Sequence, residues 1–234
     1  MPRDGILVCD IDGTLTSPGA LHVPAEVLDA LAPFNQDRRL KIATGRHSKS
    51  VERLFCGIGF VPTISLGGSA LHLEGWGCPT SIVPLSEGVV DLVLSQCCGR
   101  TRRIAIFTSD SAFSPSPELF DPSTCELLGL PLNNLRQSDL TQNILKILII
   151  GDNADLQALR ERINAVQDVL LEITSSVQGY LDICAPRVDQ AYFLPRCLKN
   201  LRDDRYREPY IVFIGDSFND VCCASLANEC WTFL

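Results

Sequence analysis

The chain has 234 residues, of which 46% are apolar and 21% are charged, and its formal net charge is −8. This composition is typical of a globular protein and excludes a disordered or fibrous one, and the length suffices for one large domain or two small ones. The acidic balance argues against a nucleic-acid binder, because phosphate backbones attract basic surfaces, but a local pocket can still hold a small anion.

Short apolar runs alternate with helical patterns in the first third of the chain. In chain order, the predicted elements are a strand at residues 5–9, a helix at 24–33, a strand at 40–43, a helix at 48–55 and a strand at 62–66. This alternation predicts an α/β fold, a doubly wound parallel sheet with helices on both faces. Residues 210–214 are continuously apolar, which is typical of another buried strand of such a sheet.

The middle of the chain has a different pattern, and residues 78–185 are predicted to form an inserted α+β cap domain. Residues 1–77 and 186–234 then form the core. Residues 109–140 contain several prolines and predict loops with short elements. The longer predicted elements are helices at 87–96 and 153–166 and strands at 103–108, 146–150, 169–173 and 180–184.

The sequence predicts a cytoplasmic protein with no membrane span. The longest run without charged residues, 54–73, is broken by five residues of glycine or proline, and charged residues precede the first apolar run. The eleven cysteines include no C-x-x-C pair, and an odd count without a secretion signal favours reduced thiols.

An acidic motif, D-I-D-G-T-L-T, occupies residues 10–16, directly after the first predicted strand. Open α/β sheets bind ligands at the carboxyl ends of their strands, which is where Asp10 and Asp12 are expected. Gly13 allows the backbone to turn sharply, so that its N–H groups can face an anion.

A second acidic motif, G-D-S-F-N-D at residues 215–220, follows the last predicted buried strand. In a parallel sheet the carboxyl ends of both strands lie at one edge, so Asp10, Asp12, Asp216 and Asp220 are expected to meet there. Converging carboxylates require a cation, and oxygen-rich sites of this kind suit Mg²⁺.

Together these motifs resemble those of the haloacid dehalogenase-like (HAD) hydrolase superfamily, in particular its Cof-type branch with an inserted α/β cap. The first motif of that family, D-x-D-G-T-L-T, matches residues 10–16, and its fourth, G-D-x-x-N-D, matches residues 215–220. Its second motif, a strand ending in Thr or Ser, matches residues 42–46. Residues 65–70 are similar to the Asn-Gly-Ala strand end of the branch, with Gly67 in place of Asn.

The resemblance implies a phosphatase that works through an aspartyl-phosphate. Asp10 would be the nucleophile, and Asp12 would protonate the leaving group and then accept a proton from water. The implied cofactor is Mg²⁺, held by Asp10, by Asp12 through its carbonyl, and by Asp216. The remaining implied roles are phosphate binding by Thr44 and Gly45 and orientation of the metal ligands by Asn219 and Asp220.

The chain departs from the family pattern at the third motif. Gln190 stands where the family has Lys, and an amide donates hydrogen bonds without carrying a charge. Gln190 is therefore a candidate phosphate-binding residue, with Lys199 as a candidate substitute for the missing cation. Beyond the fourth motif the family continues through a helix, a strand and another helix, where this chain has only residues 221–234.

The leading interpretation is a Mg²⁺-dependent phosphatase of small phosphate monoesters, such as sugar phosphates. A small phosphorylated metabolite is then the expected partner, and neither nucleic acid nor a membrane is expected. One alternative is a weakly active or inactive pseudo-phosphatase that binds a phosphorylated ligand or a protein. Another is a phosphomutase, which shares the first motif. No feature of the sequence predicts the substrate or the oligomeric state.

Overall fold

The structure is a computed structural model that describes residues 5–97, 103–166, 172–174, 179–199 and 209–232. The strands are β1 (Ile6–Cys9), β2 (Leu40–Ala43), β3 (Thr63–Ser65), β4 (Ala70–His72), β5 (Ser81–Ile82), β6 (Arg103–Phe107), β7 (Ala112–Ser114), β8 (Leu132–Asn134), β9 (Lys146–Ile150), β10 (Glu172–Thr174), β11 (Tyr180–Cys184), β12 (Ile211–Gly215) and β13 (Glu229–Thr232). The helices are α1 (Ala25–Gln36), α2 (Ser48–Phe55), α3 (Glu87–Cys97), α4 (Pro122–Leu128), α5 (Asn153–Asn164), α6 (Leu194–Lys199) and α7 (Val221–Ala224).

The first sheet has seven strands in the order β13-β12-β1-β2-β3-β4-β5. The five strands from β13 to β3 are mutually parallel, and β4 and β5 add antiparallel strands at one edge. Every residue of β1 and β2 is buried, and two separate apolar clusters pack on this sheet. Burial of both faces explains the continuous apolar runs and confirms the predicted doubly wound α/β core.

The second sheet has six strands in the order β10-β11-β9-β6-β7-β8. Its pairings are antiparallel except for β7 with β8. Helices α3 and α5 cover it through an apolar cluster that includes Val93 and Leu159. The strand predicted at residues 169–173 is confirmed for its described part, where β10 pairs antiparallel with β11, and residues 169–171 lie outside the described residues. The division of the chain at residues 78 and 185 stays a prediction.

Helix α1 is longer than the sequence predicts, because it continues through Pro33 to Gln36. Proline in a helix interior removes one backbone hydrogen bond. Tertiary contacts compensate here: Phe34 packs against the core, and the Asn35 side chain donates a hydrogen bond to the carbonyl of Ile58 over 2.8 Å.

The sequence predicts reduced thiols and no membrane-spanning segment. No disulfide joins the ten cysteines for which the structure gives a state. None of the helices that the structure describes is long and apolar enough to cross a bilayer.

Candidate active site

Three aspartates lie together at the carboxyl edge of the first sheet. Asp10 follows β1 and Asp216 follows β12, and the parallel register that pairs Cys9 with Ile214 places these two strand ends side by side. Asp220 ends a 3₁₀ turn that begins two residues after Asp216. One oxygen from each of the three carboxylates lies within 4.8 Å of the others.

The environment of these carboxylates favours a bound cation. Burial, and next the charge of Asp220, raise the pKa of Asp10 well above its usual range. Burial likewise raises the pKa of Asp220. The Oδ2 atom of Asp220 accepts hydrogen bonds from the backbone N–H groups of Asp216 and Ser217, each over 3.0 Å. Its buried Oδ1 atom has no hydrogen-bond partner among the described atoms, and a divalent ion would satisfy it.

Gly13 allows the Asp216 carboxylate to approach the loop after β1. Its φ is +84°, a conformation that favours glycine, and a Cβ placed there would lie 2.0 Å from Oδ2 of Asp216. The hydroxyl of Thr14 also donates a hydrogen bond to Oδ1 of Asp216 over 3.3 Å. Gly13 and Thr14 of the first motif therefore help to position Asp216, which lies more than 200 residues later in the chain.

The side chain of Asp12 is the exception to the expected convergence of four carboxylates. Both of its oxygens accept hydrogen bonds from Arg46, one from Nε over 2.7 Å and one from Nη2 over 2.6 Å. Arg46 is itself buried and also donates to the carbonyl of Ala20 and the hydroxyl of Ser50. Such a fork fixes the orientation of a carboxylate, and the sequence did not predict this role for Arg46.

Thr44 and Gly45 lie at the end of β2, next to Asp10 across the parallel pairing of β1 with β2. The Thr44 side chain is buried, and its hydroxyl accepts a hydrogen bond from the backbone N–H of Arg46 over 3.2 Å. Both residues line the same cavity as Asp10, Asp216 and Asn219. The predicted phosphate-binding residues and the predicted metal ligands thus face one space.

Of the two candidates at the third motif, the structure brings one to the site. Gln190 lines the cavity and is 6% exposed, and its Oε1 atom has no hydrogen-bond partner among the described atoms. The side chain of Lys199 lies outside the described part of the structure. The neutral amide of Gln190 therefore forms a buried, polar part of the cavity wall.

The cavity has a volume of about 460 Å³, and the second sheet forms its other wall. Lys146, the first residue of β9, and Asp182 of β11 form an ion pair of 2.7 Å in that wall. The rest of this wall is largely apolar and consists of Phe107, Leu127, Leu128, Leu148 and Tyr180. Leu66, from the turn between β3 and β4 of the first sheet, packs with most of these residues and also lines the cavity. Sequence reasoning missed Lys146 and Asp182, because Lys146 is an isolated charge at the start of the apolar strand β9 and Asp182 is an isolated charge within the apolar strand β11.

Comparison with protein families identifies one that matches this chain. A family model described as haloacid dehalogenase-like hydrolase matches residues 7–228. A protein of Mycoplasma pneumoniae whose name marks it as a candidate phosphatase is 26% identical over 240 residues, which is 94% of this chain and 83% of that protein.

Solved structures with the same fold include a haloacid dehalogenase-like hydrolase from Bacillus subtilis. It is 19% identical and has a TM-score of 0.78 over 97% of this chain and 88% of its own. A haloacid dehalogenase-like hydrolase from Bacteroides thetaiotaomicron is 17% identical, with a TM-score of 0.76 over 98% of this chain and 94% of its own. These similarities concern the whole chain and therefore both sheets.

Proposed function

The chain belongs to the haloacid dehalogenase-like hydrolases, and on that premise we propose that it is a Mg²⁺-dependent phosphatase of small phosphate monoesters. The observation that carries the proposal is the convergence of Asp10, Asp216 and Asp220 at the edge where Thr44 and Gly45 also lie. A carboxylate nucleophile, a cation site and polar groups for phosphate are thereby available in one cavity.

Asp10, Asp216 and Asp220 would hold the Mg²⁺ ion. When bound, the ion neutralises charge on the phosphoryl group and on the carboxylates, so that one anion can approach another. Asn219, which lines the same cavity, would orient the water or carboxylate groups around the site, as predicted. Asp12 would contribute its backbone carbonyl, because its side chain is held by Arg46.

In the first chemical step, a carboxylate oxygen of Asp10 would attack phosphorus, and the bond between phosphorus and the ester oxygen would break. The Thr44 hydroxyl and the Gly45 N–H would donate hydrogen bonds to the phosphoryl oxygens. Asp12, in its protonated form, would donate a proton to the departing alcohol oxygen. The product of this step is an aspartyl-phosphate on Asp10.

In the second step, Asp12 would act in the opposite direction as a base. Its carboxylate would take a proton from a water molecule, whose oxygen attacks phosphorus while the bond to Asp10 breaks and inorganic phosphate leaves. The Arg46 fork keeps the Asp12 carboxylate in one orientation, which serves both steps. The wall formed by the second sheet would restrict the entry of other water molecules.

The size of the cavity supports a small substrate. About 460 Å³ accommodates a phosphate group with a compact alcohol, and sugar phosphates are the class that we propose. We also propose a cytoplasmic location, which is supported by the lack of disulfides among the described cysteines.

The test is phosphate release from a panel of monoesters, measured with Mg²⁺ and with EDTA, for the wild type and Asp10→Asn. We expect turnover that requires the metal and is lost in Asp10→Asn. The matched control is Asp91→Asn, which changes an exposed aspartate of α3 and should keep wild-type activity. Metal-independent turnover, or turnover that persists in Asp10→Asn, would contradict the proposal.

The neutral Gln190 in the site motivates a second candidate, a binding protein for phosphorylated ligands without turnover. The same samples distinguish it, because such a protein would bind phosphate esters and release no phosphate. A phosphomutase would be recognised by a product that keeps its phosphate on a different hydroxyl.

A further inference from the structure

The positive charge that faces the cavity comes from two side chains of the described part of the chain, Arg46 and Lys146. Four of the five N–H donors of the Arg46 guanidinium are engaged, with both oxygens of Asp12, the carbonyl of Ala20 and the hydroxyl of Ser50 as acceptors. Its charge is thereby neutralised by Asp12. A dianionic phosphate in this acidic cavity would be stabilised by a side-chain cation in addition to the proposed Mg²⁺, and Lys146 is the remaining side chain of the described cavity wall that carries a positive charge.

Lys146 is held at the boundary of the two sheets. The residue is 5% exposed, and its Nζ atom donates a hydrogen bond of 2.9 Å to the carbonyl of Gly45, the neighbour of Thr44. Nζ also pairs with Oδ1 of Asp182 over 2.7 Å. An ammonium group has three N–H donors, so these two acceptors leave one donor for a ligand in the cavity.

Burial of a lysine is costly unless its charge is paired. Here the partner is Asp182, another buried side chain of the same sheet, and both side chains line the cavity that contains Asp10. A structural ion pair does not need to be placed at a ligand cavity. The position of this pair, beside Gly45 and in the cavity that Asp10 and Asp216 also line, points to a role in binding.

We propose that Lys146 is the cation that contacts the phosphoryl oxygens of the substrate, in the place where Gln190 supplies no charge. This inference rests on the proposed function, because it takes a phosphate monoester as the ligand. The ammonium would donate its third hydrogen to a phosphoryl oxygen while it keeps the Gly45 carbonyl. A charge-assisted hydrogen bond of this kind, in a cavity with little water, is stronger than one between neutral groups.

The consequence is that the phosphate site requires both sheets. Thr44 and Gly45 come from the first sheet, whereas Lys146 comes from the second. Further contacts hold the second sheet over α2: the His47 ring stacks on Phe107 at 6.3 Å between centroids, and the Ser50 hydroxyl is 3.3 Å from the carbonyl of Leu127. Contact of the second sheet with the first would therefore bring the positive charge of Lys146 to the phosphate site and also cover that site.

The test uses inorganic phosphate as the probe, titrated into the purified full chain with Mg²⁺ by calorimetry. We expect Lys146→Met to weaken phosphate binding about tenfold or more. Because the single change removes the ammonium that pairs with the buried Asp182, we also test the double variant Lys146→Met/Asp182→Asn, which removes both charges of the ion pair and should show the same loss. The matched control is Lys41→Met, which removes another buried lysine whose amine donates to the carbonyls of Arg38 and Leu40.

Asp182→Asn gives a readout that a structural role would not produce. It removes the carboxylate that competes with phosphate for the ammonium, so phosphate should bind several-fold more tightly. Phosphate binding within twofold of the wild type in the double variant would overturn the inference, as would a wild type that binds no phosphate. A raised KM for one ester with unchanged phosphate binding would also overturn it, because Lys146 would then contact the alcohol part.

These outcomes are distinct from failure of the proposed function. A wild type that binds phosphate through Lys146 but releases none from any ester would contradict the phosphatase and support the inference. Mg²⁺-dependent turnover by the wild type, together with unchanged phosphate binding in the Lys146 variants, would support the phosphatase and contradict the inference about Lys146.

Discussion

Arg46 donates hydrogen bonds to both carboxylate oxygens of Asp12, over 2.7 and 2.6 Å. The two residues are 34 positions apart and follow neighbouring strands, β1 and β2. The contact fixes the carboxylate that we propose as the proton donor and acceptor, and it also explains why Asp12 does not join the cluster of Asp10, Asp216 and Asp220. Arg46 acts through Asp12, so it is a positioning residue.

Arg46→Lys is therefore expected to reduce kcat by about tenfold to a hundredfold, because a lysine keeps the charge but cannot donate to both oxygens in one plane. KM should change less than kcat, because the change alters the orientation of Asp12 and leaves the phosphate-binding groups in place. Steady-state kinetics measure this. Arg53→Lys, at an exposed position of α2, is the matched control, and a kcat of Arg46→Lys equal to that control would contradict the assigned role.

Gly13→Ala is expected to weaken Mg²⁺ binding about tenfold or more, because its Cβ would lie 2.0 Å from Oδ2 of Asp216 and displace that carboxylate. Gly19→Ala is the control, since Gly19 also has a positive φ, +74°, but has no atom within 4 Å of a Cβ. Both variants carry the backbone strain of about 1 kcal/mol, so only the first should lose metal affinity. If calorimetry gives equal Mg²⁺ affinities for Gly13→Ala and Gly19→Ala, the proposed clash with Asp216 is contradicted.

Removal of the metal should reveal the repulsion among the buried carboxylates. Burial and neighbouring charges raise the pKa of Asp10, so the folded protein without metal resists its ionisation. In EDTA at pH 7, Asp10→Asn should melt at a higher temperature than the wild type. Saturating Mg²⁺ should raise the melting temperature of the wild type by about 5 °C and that of Asp10→Asn by less. A wild-type melting temperature that does not change when Mg²⁺ is added would contradict the proposed repulsion among the buried carboxylates.

Two buried histidines predict a loss of stability in mild acid. Burial lowers the pKa of His47 and of His72 from 6.5 to about 4. The unfolded chain therefore takes up protons between pH 6.5 and 4 that the folded chain does not, so the contribution to stability is full above pH 6.5 and falls as the pH is lowered. At pH 5 the loss is about 2 kcal/mol for each histidine.

Urea unfolding at pH 7 and pH 5 measures that loss. The difference in the free energy of unfolding between the two pH values should be smaller in His72→Gln than in the wild type. His22→Gln changes an exposed histidine and should leave the difference unchanged. A His72→Gln protein with the wild-type difference would contradict the role of burial.

The sequence predicted the strands that carry the site, because apolar runs followed by turn residues identify buried parallel strands and their ends. Asp10, Thr44 and Asp216 could be placed at one edge for this reason. The pairing of Arg46 with Asp12 was not predictable, since it depends on side-chain directions across two strands. Lys146 was missed for a similar reason: within the apolar residues of β9, only tertiary packing brings its amine to the carbonyl of Gly45.

The edge of the first sheet shows why apolar composition does not by itself determine burial. Trp231 lies in a short apolar run near the end of the chain, but it is 56% exposed. It lies on β13, which pairs with β12 on one side and is the outermost strand of the first sheet. Its Nε1 atom donates to Oε1 of Glu229 over 2.8 Å. Apolar composition predicts a strand, whereas its place in the sheet determines how much of it is buried.

The most direct measurement is the anomalous scattering of Mn²⁺, substituted for Mg²⁺, in crystals of the wild type and of Asp216→Asn. We predict one peak in the wild type, in contact with carboxylate oxygens of Asp10, Asp216 and Asp220, and its loss or weakening in the variant. A peak elsewhere, or none between these three side chains at saturating Mn²⁺, would contradict the assignment of this cluster as the catalytic metal site.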